Sequence, residues 1–100
     1  MIIAVNISKA LADEKTLLQA TERAWNLSIE KCREHKYVIG VEKGQIKGCF
    51  KLNNVFSDTE LKQRVAFELE PCSEETEQFI RSYIRDNDIN LGGVQRGKYI

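Results

Sequence analysis

Tyr37-Val-Ile-Gly-Val-Glu-Lys-Gly-Gln-Ile-Lys-Gly-Cys-Phe50 is the stretch on which the fold turns. Tyr37 to Glu42 has the β-branched density of a buried strand, and Lys43-Gly44 supplies a turn in which glycine takes positive φ without a steric penalty. Gln45 to Leu52 is the returning strand, with Ile46, Gly48, Phe50 and Leu52 on one side. Gly48 is unusual there, because glycine weakens a strand unless a bulge or a close approach requires it. Just upstream, Ala24-Trp25-Asn26-Leu27-Ser28 closes a helical segment on the only tryptophan of the chain.

Further out, Ile2 to Ile7 reads as a first strand, with Ile3, Val5 and Ile7 on one face and Ile2, Ala4 and Asn6 on the other. Asp13 is expected to cap a helix over residues 14–24 whose buried stripe is Leu17, Leu18, Thr21, Ala24 and Trp25. Ser28 opens a second short helix running to about His35. Residues 53–62 form a polar connection. Arg64 to Glu70 then alternates cleanly, with Val65, Phe67 and Leu69 on one face. Pro71 ends that strand and Ser73 caps a helix with Glu74, Glu75 and Glu77 in its first turn and an apolar face of Phe79, Ile80, Tyr83 and Ile84. Leu91 to Val94 is a loop, and Arg96 to Ile100 closes the sheet. The order β-α-α-β-β-β-α-β in 100 residues predicts a single α+β domain over 1–100, its sheet mostly antiparallel.

Composition narrows the function classes. No apolar run reaches the roughly 18 residues of a membrane span, and the first residues lack a secretory signal pattern, so a cytoplasmic location away from membranes is expected. Cys32, Cys49 and Cys72 are widely spaced and read as reduced thiols, and His35 has no metal-ligating partner nearby in sequence. Without paired carboxylates in a catalytic setting, a Walker loop or a histidine-activated nucleophile, no enzyme and no cofactor are expected. Fifteen basic residues balance fifteen acidic ones, which disfavours non-specific binding to nucleic acid. The distribution is uneven, however. Residues 37–56 carry three lysines and one acid, and residues 91–100 carry Arg96 and Lys98 alone, while residues 57–90 carry nine acids and four bases. Where the basic stretches meet in space, one surface is polarised.

Trp25 then has two readings: it fills the core between the first helix and the central hairpin, or its indole face lines a pocket and stacks on a planar base. Arg64, Arg96, Lys47 and Lys51 are of the kind that contacts phosphates, and equally of the kind that solvates a surface.

On these residues the chain resembles the PUA-like superfamily of small nucleic-acid-reading barrels, particularly its EVE-, ASCH- and YTH-type members. It also resembles the compact domain found beside GIY-YIG-type nucleases. The likeness rests on the strand Ile2–Ile7, Trp25 with Ser28, the strand Tyr37–Glu42 with Gly44 and Gly48, the strand Arg64–Glu70, and Gly97-Lys98-Tyr99-Ile100. It implies a small PUA-like β-barrel flanked by helices, with a pocket for a modified or unpaired base. By position Trp25 would form the pocket wall, Asn6, Ser8 and the Asn26–Ser28 backbone would meet the base edge, and Arg96 or Lys98 with Lys47 would rim an open cleft. The chain departs from base-reading members in having no second tryptophan. The alternative is a non-catalytic protein-interaction or regulatory module that keeps the barrel and partners a nuclease or another protein.

Overall fold

Lys43 and Gly44 both take left-handed backbone angles, with φ of 52° and 77°, and so form the primed turn that joins the central hairpin. In the computed structural model, which describes residues 2–58, 61 and 63–100 and only the backbone of Arg23 and Ala24, this hairpin lies inside a six-stranded sheet. The elements are β1 (Ile2–Asn6), α1 (Ser8–Ala12), α2 (Leu17–Glu22), β2 (Arg23–Trp25), α3 (Ile29–Cys32), β3 (Tyr37–Glu42), β4 (Gln45–Ser57), β5 (Val65–Pro71), α4 (Glu74–Asp86) and β6 (Gly97–Tyr99), with a 3₁₀ turn at Leu91–Gly93 before β6. Strand order is β2-β5-β4-β3-β1-β6. Only β1 and β3 run parallel, so the α+β class and the mostly antiparallel sheet are as the alternation of residues requires.

Both faces of β1 are buried. Ile3, Val5 and Ile7 join Val38, Val55, Val65 and Phe67 on one side, the interior of the curl, where Ala20 and Cys32 of the small helices cover them. Ile2 and Ala4 face the other way with Ile39, Val41 and Cys49, beneath Ile80 and Ile84 of α4. The period-two pattern of each strand therefore serves two cores at once.

The sheet curls because β4 carries two bulges. Register shifts between Gly40 and Val41 leave Lys47 unpaired against β3, and shifts between Leu52 and Asn54 leave Asn53 unpaired against β5. Each extra residue bends the strand and increases its twist. β2 and β6 are the ends of the ladder, so the described sheet is open where a closed barrel was expected. Side chains span the gap. Leu27, just after β2, lies over Gly97, where an added Cβ would come within 3.0 Å of the leucine Cδ2. The Tyr99 hydroxyl accepts a hydrogen bond from the Ser28 N–H at 3.3 Å.

Gly40 and Gly48 stand directly opposite each other in the hairpin. A Cβ on Gly40 would lie 2.9 Å from Ile7 Cδ1 and 2.9 Å from Thr21 Oγ1, and one on Gly48 would lie 2.9 Å from the Phe50 ring and 3.8 Å from Leu17 Cβ. Leu17 and Thr21 are one helical turn apart on α2, so the glycine pair forms a flat floor on which α2 rests. The space at Gly48 thus answers to both a bulge and a close approach.

Several expectations need correction. The helix expected over 14–24 is confined to α2, and an unexpected short helix, α1, precedes it, with Glu14 in a left-handed conformation (φ 63°) between the two. Asp13 ends α1 rather than opening a helix, its N–H donating to the carbonyls of Lys9 and Ala10. α2 begins instead in a reciprocal cap: Gln19 N–H donates to Thr16 Oγ1 and Thr16 N–H to Gln19 Oε1. Leu17 and Leu18, expected in the buried stripe, are 40% and 38% exposed, and Trp25 has passed into β2. The side chain of Ala24, the stripe's remaining member, lies outside the described residues. The strand expected to end at Leu52 runs to Ser57, because the bulge at Asn53 restores Val55 to the interior, and the rest of the connection includes Thr59, Glu60 and Lys62, which lie outside the described residues. Phe79 is 59% exposed, because α4 faces the sheet through Ile80 and Ile84. The Ser28 and Ser73 caps form as expected, on Lys31 and Thr76.

The glycine floor yields a direct test. Gly40→Ala is expected to lower unfolding stability by about 1–3 kcal/mol in urea denaturation, since neither Ile7 nor Thr21 can withdraw without unpacking a buried contact. Gly93→Ala, where an added Cβ meets only Asn90 Nδ2 at 4.0 Å, is expected to change it by less than about 0.5 kcal/mol.

Candidate functional site

α2 ends with carbonyl groups that have no helical partner, and one of them fixes the tryptophan. Trp25 Nε1 donates to the Thr21 carbonyl at 2.8 Å. That carbonyl is held in place because Thr21 is fully buried over Gly40 and donates from Oγ1 to Leu17 O at 2.7 Å. The indole N–H is thereby used within the protein, and the half-buried ring packs partly against the interior core.

Trp25 lines an open cleft of about 640 Å³, shared with Asn6, Ser8 and Arg96. Lys9, Asp13 and Lys15 bring charge to the same cleft, and Gln19 and Gln95 bring amide groups. Trp25 and Arg96 lie beside the two ends of the sheet, so the cleft opens where the ladder is not closed. Asn6 organises this end. Its Oδ1 accepts from Ser8 N–H at 3.0 Å, its Nδ2 donates to Val94 O at 3.0 Å, and its backbone N–H donates to Arg96 O at 2.8 Å. The side chain of Asn6 therefore holds α1 and the segment before β6 together, and the free capacity at the cleft lies chiefly with Ser8, the glutamines and the three cations.

The remaining residues singled out from the sequence lie elsewhere. Ser28 and Arg64 share a second depression of about 420 Å³ between α3 and the β4–β5 connection, with Leu27, Gln63 and Val65. Asn26 is exposed between β2 and Ser28. Lys47 sits at the β4 bulge and donates to Gln45 Oε1 at 3.4 Å, and exposed Lys98 is opposite Ala4 in β6; neither lines the tryptophan cleft. The segments that carry the two basic stretches touch at glycines: a Cβ added to Gly44 in the hairpin turn would lie 3.5 Å from the Gly92 backbone, a contact that involves none of their cations.

Four polar lining residues were not singled out from the sequence: Lys9, Lys15, Gln19 and Gln95. The spacing Thr16-x-x-Gln19 is a capping box, and it marks residues 8–15 as a separate element folding over the end of β1. No comparable local signal marks Gln95, which arrives through the pairing of β6 with β1.

The thiols stand apart from the cleft. Cys32 Sγ lies 3.8 Å from the Tyr99 hydroxyl, and His35 lies over the same ring at 4.9 Å while its Nδ1 donates to Lys31 O at 2.7 Å. Cys32 and His35 thus meet Tyr99 rather than forming a nucleophile–base pair. Burial raises the Cys32 thiol, and the Tyr99 hydrogen bond lowers it by less. Burial, with the Glu77 carboxylate adding to it, pushes the Cys49 thiol up to about 12. Such thiols stay protonated at neutral pH and are poor nucleophiles. Among the described residues, no group of three or more His, Cys, Asp or Glu could hold a metal ion, and no helix is long and apolar enough to cross a membrane. Comparison with family models, curated proteins and solved structures gives no match.

The raised Cys49 thiol sets a stability trend. Its ordinary value is 9.0, so between pH 9.0 and about 12 the unfolded chain binds fewer protons than the folded one and stability falls as pH rises. Below that window this thiol makes no contribution to the pH dependence. Denaturation midpoints across the window are expected to decline more steeply for the wild type than for Cys49→Ala; parallel declines would refute the assignment.

Proposed function

We propose that the cleft beside Trp25 is a nucleic-acid site that takes an unpaired or modified base. The indole face stacks on the base while Arg96 and Lys9 meet backbone phosphates, and Ser8, Gln19 or Gln95 reads the base edge. The observation that carries this reading is the convergence on one cleft of three segments far apart in sequence, Asn6 with Ser8, Trp25 and Arg96. A ring pinned through its N–H presents its π-face without further ordering, which suits stacking on any planar base. Three cations against Asp13 give the cleft a positive local balance despite a neutral chain, which suits an anionic ligand. The same reading takes the curled sheet as a barrel of PUA-like kind, with the cleft at its seam.

The test is fluorescence anisotropy with dye-labelled single strands and with duplexes carrying one unpaired or methylated base. Trp25→Ala is expected to weaken binding about tenfold or more, at roughly 1–3 kcal/mol per stacked base, while Trp25→Phe retains part of it. Arg96→Ala is expected to weaken binding and flatten its salt dependence by about one phosphate contact. Lys47→Ala, remote from the cleft, is expected to bind as the wild type does. No binding by any oligonucleotide, or unchanged binding by a folded Trp25→Ala, rejects the proposal. A partner protein co-purifying without nucleic acid would favour the accessory-module reading instead.

A further inference from the structure

Cys49 and Cys72 form a pair that the proposed base site does not use. β4 and β5 keep one register from Phe50↔Pro71 to Leu52↔Leu69, and the next step outward sets Cys49 opposite Cys72. The ladder continues there, since Cys72 N–H donates to Cys49 O at 3.2 Å. Directly opposed residues of an antiparallel hydrogen-bonded pair have Cα atoms about 5.5 Å apart, inside the range of roughly 4.4–6.8 Å that a disulfide spans. Opposed residues also project from the same face, and both side chains belong to the core beneath α4. Cys32 is in the other core, against Tyr99. Cys72 is half-exposed, so a reagent in solvent can reach it, whereas Cys49 is buried.

We propose that Cys49 and Cys72 are an oxidisable dithiol, converted by a small disulfide oxidant of the glutathione kind to an intramolecular disulfide that ties β4 to the chain entering α4. The half-exposed Cys72 thiol loses its proton and attacks one sulfur of the oxidant, forming a mixed disulfide and expelling one thiolate. The Cys49 thiol then loses its proton and attacks the Cys72 sulfur, expelling the second thiolate. Two protein thiols and one oxidant disulfide thus give one protein disulfide and two small thiols. Burial, with the carboxylates of Glu77 and Glu70 beside it, raises the Cys72 thiol, and Arg81 offsets only part of the rise at Cys49. The first attack is therefore slow at neutral pH, and the pair persists as dithiol until oxidant is abundant.

The native full chain is incubated with oxidised glutathione at mildly alkaline pH, remaining thiols are alkylated, and the linkage is mapped by non-reducing peptide mass spectrometry. The expected result is a predominant Cys49–Cys72 link, with Cys32 still alkylated and the link reversed by dithiothreitol. In Cys49→Ser the expected product is a stable glutathione adduct on Cys72; in Cys72→Ser, which alters a half-exposed site, no intramolecular link forms. Three outcomes would overturn the proposal: no loss of thiols in the native chain, adducts on Cys72 with Cys49 left free, or links to Cys32 formed as readily as the Cys49–Cys72 link. Oxidation after unfolding in denaturant supplies the reference, where the preference for the Cys49–Cys72 link is expected to vanish.

Discussion

The close approach of α2 to the facing glycines Gly40 and Gly48 is the constraint from which the rest of the arrangement follows. A six-residue helix has little stability of its own, because the nucleation cost is spread over too few hydrogen bonds. It persists because its Ala20 and Thr21 face sinks onto bare backbone at Gly40, where a side chain would meet Thr21 and hold it off. That contact fixes the Thr21 carbonyl, the carbonyl fixes the indole, and the indole forms one wall of the cleft. A packing detail of the hairpin thus reaches the surface in three steps.

The second organising element is β1. Its two buried faces couple the curl interior to the core beneath α4, and its pairing with both β3 and β6 sets the last strand beside the first at one edge of the sheet. Arg96 and Gln95 reach the cleft only because β6 lies beside β1. Asn6, at the end of the same strand, ties that approach down with its side chain.

The legible strands carry a period-two pattern, β-branched density or a glycine turn that admits one geometry; β2 carries none of these and was read as helix. The hairpin at Lys43-Gly44, the alternation of Val65, Phe67 and Leu69, and the serine caps of α3 and α4 belong to this class. The region from Asp13 to Trp25 was misread because Leu17, Leu18, Thr21 and Trp25 carry helical spacing while tertiary contacts divide the segment. The Thr16–Gln19 capping box was the local cue that outranked the spacing. The extension of β4 to Ser57 and the exposure of Phe79 depend on a bulge and a helix rotation, which neighbouring elements decide. Of the candidate site residues, Asn6, Ser8, Trp25 and Arg96 share one cleft, while Lys47, Arg64 and Lys98 are dispersed, because a cation's sequence number says nothing of which sheet edge it will reach.

The gap between β2 and β6 is bridged by Leu27 over Gly97 and by one hydroxyl bond to Ser28. A backbone ladder is stiff, since parting it breaks several hydrogen bonds together. A leucine resting on a glycine is compliant, since parting it loses only short-range dispersion contacts that are individually weak. The mouth of the curl is therefore a soft joint in an otherwise rigid wall. Parting it would lift Leu27 and Tyr99 from the edge of the interior core but break no strand pairing.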